Sequence, residues 1–125
     1  MINIDYIDEF NKEYKKLCKK YISLKKDFGD FVDVLEEAIN DDFNSFLEMG
    51  IIGVRIADLG EISKNIIPMK VRKFVCVSIA GKSRNSGIRI IYLYDESNKS
   101  VTFLEIYHKN SKENHDINRI KSYIK

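Results

Sequence analysis

Basic residues recur between residues 69 and 109, where they are interleaved with β-branched and aromatic residues. Arginine suits phosphate chemistry because its planar guanidinium stays charged and matches two phosphate oxygens at once. Arg89 lies inside an apolar run, where a charge is unfavourable unless the site faces water or a partner. Lys82 and Arg84 lie in the turn-forming segment before it, where basic side chains can converge on one phosphate. These three residues are therefore candidates for phosphate binding.

Arg89 also has a structural interpretation, in which it forms an ion pair with a carboxylate on a neighbouring strand. Glu105 is the obvious partner, and position alone does not decide between the two roles. Arg72 and Lys73 have opposite strand parity, so only one of them can share a sheet face with Arg89. Parity does not say which one does.

A second group of candidates ends the last strand-like run. Glu105, Tyr107 and Lys109 share parity and should project from one face. Tyr107 could stack on a base, or carry a proton if nearby cations lowered its pKa of about 10; the alternative is a core aromatic residue with a solvated hydroxyl. His108 suits acid–base work near neutral pH, although histidine at a strand end is more often a surface residue. His115 lies outside this group and is not a candidate.

Other site chemistries lack the residues that they need. The sequence contains no HExxH motif, no cysteine–histidine cluster and no glycine-rich phosphate loop, so neither a metal nor a small-molecule cofactor is expected. Cys18 and Cys76 form no CxxC pair, which favours buried thiols in a reducing compartment. No apolar run approaches the roughly 20 residues of a membrane helix, and the N-terminus lacks an export pattern. We therefore expect a cytoplasmic protein without membrane contact.

Three runs rich in β-branched and aromatic residues predict an antiparallel three-stranded meander within residues 69–109. Its breaks are residues 80–87 and 95–100, which supply turn-forming residues. Pro68 cannot donate a ladder hydrogen bond, so the first strand should begin after it. An earlier short strand is expected near residues 54–57. The alternation of Ile2, Ile4 and Tyr6 with polar residues predicts a strand at the N-terminus.

Two apolar stripes at helical spacing predict an αα-hairpin after that first strand. This hairpin should cover the dry face of the sheet and bury Phe10, Tyr14, Leu17, Phe28, Phe31 and Leu35. Ile117, Ile120 and Ile124 predict a C-terminal helix. Residues 1–125 are thus expected to form a single α+β domain with its helices on one side of the sheet.

The net charge of +2 conceals an asymmetry between the two halves of the chain. Residues 1–62 contain 8 basic and 14 acidic residues, a net charge of −6, whereas residues 63–125 contain 13 basic and 5 acidic residues, a net charge of +8. Such asymmetry suggests contact between the C-terminal half and a polyanion. Mutual neutralisation of acidic helices and a basic sheet explains it equally well.

Residues 70–94 read KVRKFVCVSIAGKSRNSGIRIIYLY and contain the pattern G-x-R-x-x-Y, formed by Gly87, Arg89 and Tyr92. TFLEIYHKNSKEN and a terminal segment with NRI follow, and KKLCKKYISLKKDF precedes them. In this order, these pieces resemble the RelE/ParE superfamily of toxins from type II toxin–antitoxin systems. The resemblance covers most of the chain except residues 41–68, which are longer than the family minimum.

The resemblance implies a small toxin that a cognate antitoxin holds inactive. The RelE branch cleaves mRNA on the ribosome without a metal, and this branch is favoured here. The ParE branch instead inhibits DNA gyrase without enzymatic activity, and an inactive homologue that only binds its antitoxin is a further alternative. The expected partners are therefore an antitoxin, the ribosome and mRNA.

The resemblance also implies roles for particular residues. Arg89 lies at the position of the family's catalytic arginine, and Tyr107 and His108 lie where the family has its acid–base residue. Lys109 and Lys73 would be supporting cations. The expected catalytic residues are Arg89, Tyr107, His108 and Lys109, and the expected RNA-binding residues are Lys73, Lys82 and Arg84.

Overall fold

A five-stranded sheet forms the centre of the protein, and helices pack on both of its faces. The computed structural model describes residues 2–57, 59 and 65–124. Its strands are β1 (Asn3–Tyr6), β2 (Val54–Arg55), β3 (Ile66–Val71), β4 (Ile88–Asp95) and β5 (Ser100–His108). Its helices are α1 (Asp8–Lys20), α2 (Leu24–Asn40), α3 (Phe43–Met49), α4 (Val77–Ala80) and α5 (Ile117–Ile124). None of the helices in the described ranges is long and apolar enough to cross a membrane.

The strand order is β1-β5-β4-β3-β2. β1 runs parallel to β5, and every other neighbouring pair is antiparallel. The register between β4 and β5 shifts at one point, where Ile91 pairs with Glu105 but Tyr92 pairs with Phe103. Leu104 is the extra residue of this bulge. Because of the bulge, the consecutive residues Leu104 and Glu105 both lie on the same face of the sheet as Ile91.

The face covered by α1 and α2 contains the larger core. Phe10, Phe28, Phe31 and Leu35 are buried, as their helical spacing predicted. Tyr14 and Leu17 are only partly buried, but they pack against the same cluster. The αα-hairpin and most of its predicted burial are therefore confirmed.

The opposite face carries a smaller apolar cluster. Ile120 and Ile124 of α5 pack there against Ile91, Leu93 and Leu104. The expectation that all helices lie on one side of the sheet is therefore wrong. An apolar stripe requires a helix to be buried, but it does not specify the face that the helix covers.

The α+β class is confirmed, but the first strand of the predicted meander lies closer to the N-terminus than expected. β3 begins before Pro68 and ends at Val71, and the apolar residues after it form α4 instead. The Pro68 carbonyl accepts a hydrogen bond from Ile56 N at 3.0 Å, so the proline nitrogen also faces the β2 side. Because β2 has only two residues, this position is near an edge, where a missing donor is tolerated.

Candidate active site

Polar side chains from three neighbouring strands form a patch on the α5 face of the sheet. Arg89 pairs with Tyr107 across β4 and β5, and its Nη1 donates to the Arg72 carbonyl at 3.0 Å. One step along the sheet, Lys70 and Glu105 lie on either side of Ile91. Since alternate residues of a strand share a face, these residues lie beside one another. We call Lys70, Arg72, Arg89, Glu105 and Tyr107 the polar patch.

Tyr107 is buried in this patch, and its hydroxyl has no hydrogen-bond partner among the described residues. The Lys112 ammonium lies 5.5 Å from the centre of its ring. Burial and the Glu105 charge raise the pKa of Tyr107 to about 12, although Arg89 and Arg72 act to lower it. The cations thus do not produce the lowered pKa that base chemistry would need. At neutral pH, Tyr107 is protonated and can act only as a proton donor.

Lys70 and His115 meet at the edge of the patch. Lys70 is buried, and its Nζ lies 3.2 Å from His115 Nδ1. Burial lowers the pKa of Lys70, and the charges of Arg72 and Arg89 lower it further. Burial and the Lys70 charge likewise lower the pKa of His115. Because an ammonium has only donors, Nδ1 of the neutral imidazole accepts the hydrogen bond.

Glu105 fastens the loop of residues 109–116 to the sheet. Its buried carboxylate forms an ion pair with Lys112 and accepts a hydrogen bond from Asp116 N at 2.8 Å. The hypothesis that Glu105 pairs with Arg89 is therefore wrong. Arg89 interacts with a backbone carbonyl instead, and its guanidinium is only half-buried. This arrangement leaves the charge of Arg89 without a carboxylate partner in the described part of the chain.

His108 is placed away from the polar patch by its pairing with Ile88, whose side chain belongs to the α1–α2 core. Its Nδ1 accepts from Asn110 N at 3.1 Å, and its Nε2 donates to the Ser86 carbonyl at 3.0 Å. Both ring nitrogens therefore have backbone partners. Lys109 is exposed in the turn after β5. The structure thus groups Arg89 and Tyr107 but leaves His108 and Lys109 outside the patch.

The predicted phosphate-binding residues also lie outside the patch. Lys82 is exposed in the turn after α4. Lys73 and Arg84 line a cavity of about 270 Å³, together with Asp27, Asp30, Phe31, Val34, Ile51, Phe74 and Val75. Of the two neighbours Arg72 and Lys73, it is Arg72 that shares a sheet face with Arg89. The charge of Arg72 acts on Lys70, Tyr107 and His115, whereas Lys73 lines the cavity.

Sequence reasoning missed Lys70 and His115. A signal for Lys70 exists, since it is a charged residue between Met69 and Val71, which both belong to the core. No comparable signal exists for His115, because its contact with Lys70 spans 45 residues.

The described residues contain no group of three or more His, Cys, Asp or Glu side chains that could hold a metal ion. Comparisons with models of protein families, with curated proteins and with solved structures find no match for this chain. The polar patch is therefore the feature of the molecule that bears on its function.

Proposed function

We propose that this protein is a RelE-like toxin that cleaves mRNA on the ribosome without a metal. The observation that carries the proposal is the grouping of Lys70, Arg72 and Arg89 on the same face of the sheet as the buried hydroxyl of Tyr107. RNA cleavage by its own 2′-hydroxyl requires cations that stabilise the charge on phosphorus, an acid for the leaving oxygen and a base for the attacking hydroxyl, and the cluster supplies the first two beside a candidate base. The resemblance of residues 70–94 to the RelE/ParE toxins supports the same function.

In this proposal, Arg89 and Arg72 bind the scissile phosphate. The 2′-oxygen attacks phosphorus, the bond to the 5′-oxygen breaks, and a 2′,3′-cyclic phosphate forms. The two guanidinium groups stabilise the negative charge that develops on the non-bridging oxygens. Arg89 is suited to this role because its only described polar contact, to the Arg72 carbonyl, leaves the other guanidinium donors for phosphate.

Proton transfer is divided between the two ends of the patch. Tyr107 donates its proton to the leaving 5′-oxygen, which agrees with its raised pKa. The lowered pKa of Lys70 increases the fraction of its amine that is neutral, and in that state Lys70 takes the proton of the 2′-hydroxyl. His115 positions that amine through its Nδ1.

RNA reaches Tyr107 only if the loop of residues 109–116 moves, because the hydroxyl is buried in the free protein. The contacts of Lys112 with Glu105 and of His115 with Lys70 hold this loop over the patch. We propose that the ribosome-bound mRNA displaces the loop. We also propose that an acidic or amphipathic segment of the antitoxin covers the same basic surface, since charge complementarity speeds such association.

The experiment compares cells that express the wild type, Arg89→Ala, Arg89→Lys or the control Arg55→Ala, in which an exposed arginine of β2 is removed. The 5′ ends of mRNA and the supercoiling of DNA are measured together. We expect wild type and Arg55→Ala to cut mRNA within reading frames while supercoiling stays normal. Loss of one contact to the developing oxyanion should lower cleavage by Arg89→Ala at least about a hundredfold.

Arg89→Lys should recover only part of the activity, because lysine keeps the charge but loses the bidentate geometry. Each variant is also purified and its melting temperature measured, which separates loss of chemistry from loss of the fold. Intact mRNA with gyrase-linked DNA breaks would identify a ParE-like inhibitor. Intact mRNA and normal DNA, with retained antitoxin binding, would identify an inactive homologue.

A further inference from the structure

The cavity beside α2 is separate from the polar patch and has both apolar and charged walls. Phe31 and Phe74 form its aromatic side, with ring centroids 5.9 Å apart, and Val34 and Ile51 complete the apolar surface. Its volume of about 270 Å³ is just below the range of pockets for drug-sized ligands. A single ring system fits this size better than an extended cofactor does.

Asp27 supplies an acceptor inside the cavity. Its side chain is more than nine-tenths buried, and its Oδ2 accepts from Ser23 Oγ at 2.7 Å and from Val77 N at 2.9 Å. No donor in the described part of the chain reaches its Oδ1, and Asp27 lines the cavity. Because Oδ1 is not among the fully buried atoms that lack a partner, it is accessible from the cavity, and a ligand that donates a hydrogen bond there gains a charge-assisted contact.

Two basic residues also line this cavity. Lys73 and Arg84 belong to its lining, and both are exposed side chains whose charged ends can reach a ligand at the mouth. Asp30, the second carboxylate of the lining, is paired with Lys26. The cavity therefore combines an aromatic wall, an acceptor carboxylate and two cations. A nucleotide has the three matching parts, which are a flat base, an exocyclic amino group and a phosphate.

We infer that this cavity binds one nucleotide with an amino-bearing base, namely adenine, guanine or cytosine. The base lies against Phe31 and Phe74, its amino group donates to Asp27 Oδ1, and Lys73 and Arg84 contact its phosphate. Uracil presents carbonyl oxygens beside its single N–H, and these would face the carboxylate unfavourably.

This nucleotide belongs to the RNA strand whose phosphate occupies the polar patch, a step that rests on the proposed function. Arg72 and Lys73 are consecutive residues, and one acts in the patch while the other lines the cavity. Because the patch lies on the α5 face and the cavity lies beside α2, a strand that contacts both passes around the edge of the sheet at residues 72 and 73. The cavity then selects a base further along the strand than the cleavage site.

The test is an NMR titration of the full-length protein with the 5′-monophosphates of adenosine, guanosine, cytidine and uridine. The methyl signals of Val34 and Ile51 report on the cavity. We expect saturable shifts with the three amino-bearing nucleotides and at least tenfold weaker binding of uridine monophosphate. Lys73→Ala should weaken binding about tenfold, as expected for one charge-assisted contact, whereas Lys25→Ala, an exposed control on α2, should not.

Asp27→Asn is the sharper variant, because it replaces the free acceptor with an amide that can donate. It should remove the preference for amino-bearing bases and improve uridine monophosphate binding, while Oδ1 of the new residue keeps the contact with Val77. Absence of cavity shifts at millimolar nucleotide, or equal affinity for all four nucleotides, would overturn the inference. If this variant does not fold, the Lys73→Ala comparison and the four-nucleotide ranking still decide it.

The titration is repeated with a short single-stranded RNA that contains an amino-bearing base. Binding of this RNA should be tighter than that of the mononucleotide and should weaken in Arg72→Ala, whereas mononucleotide binding should not change. RNA binding that is no tighter and ignores Arg72 would mean a site for free nucleotides and would overturn the strand assignment. If the cavity binds nucleotides but the protein cleaves no mRNA, only the proposed function is refuted. If nucleotides shift signals of the polar patch alone, only the inference of a nucleotide site in the cavity is refuted.

Discussion

Removal of the Tyr107 hydroxyl should separate stability from activity. The hydroxyl is buried and has no partner among the described residues, so it loses its hydration without a compensating hydrogen bond. Such a group costs about 1–3 kcal/mol. Tyr107→Phe should therefore be about 1 kcal/mol or more stable than the wild type. For a domain of this length, that change raises the melting temperature by about 4 °C.

Tyr92→Phe is the matched control, because the same atom is removed from another buried tyrosine of the sheet. The Tyr92 hydroxyl donates to the Ile52 carbonyl at 2.6 Å, so its loss leaves a buried acceptor without its donor. This variant should be destabilised by about 1–3 kcal/mol. The two substitutions are thus predicted to shift stability in opposite directions.

Urea unfolding of the three purified proteins measures these free energies, and cleavage of ribosome-bound mRNA measures activity. Tyr107→Phe should lose about a hundredfold or more in rate if its hydroxyl protonates the leaving group. Equal destabilisation by both variants would show that the Tyr107 hydroxyl has a partner, and the site geometry would be wrong. Full cleavage by a stabilised Tyr107→Phe would exclude this residue as the acid.

Two further predictions concern backbone conformation and pH. Gly53 has a φ of +105°, and an added Cβ would lie 2.7 Å from the Lys70 carbonyl oxygen, so Gly53→Ala should lose about 2 kcal/mol or more in a thermal melt. Gly29→Ala, in α2 with open space around it, should instead gain up to about 1 kcal/mol. The pKa of His115 is lowered from 6.5, so the unfolded chain binds its proton more tightly. The wild type should therefore lose stability relative to His115→Gln as the pH falls below about 6.5, and parallel curves from pH 7.5 to 5 would contradict this.

Periodicity within single elements predicted the parts of the fold that depend on local pattern. The stripes containing Phe10 and Phe28 predicted both long helices, and the turn residues predicted the β4–β5 hairpin. The end of β3 was not predictable, because apolar residues after Val71 suit either a strand or a buried turn. A long-range contact decides this point, since Asp27 accepts the hydrogen bond of Val77 N at the start of α4.

Only those features of the site that depend on the pattern within one strand were predictable. Parity placed Tyr107 on one face, and the charge of Arg89 in an apolar run marked it as unusual. The contribution of Lys70 depends on the pairing of β3 with β4, which no single-strand pattern contains. The sequence favours His108 over His115, which lies outside the recognisable motif, yet the bond to Ser86 places His108 in a structural role.

The energetics of the polar patch support an anion as its ligand. Lys70, Arg72 and Arg89 carry like charges in one small region, and the pKa of Lys70 is lowered first by burial and further by the charges of the two arginines. Glu105 cannot relieve this repulsion fully, because its carboxylate is already bound to Lys112 and to Asp116 N. A phosphate between the cations would reduce this repulsion, which is what the proposed function expects of a bound RNA backbone.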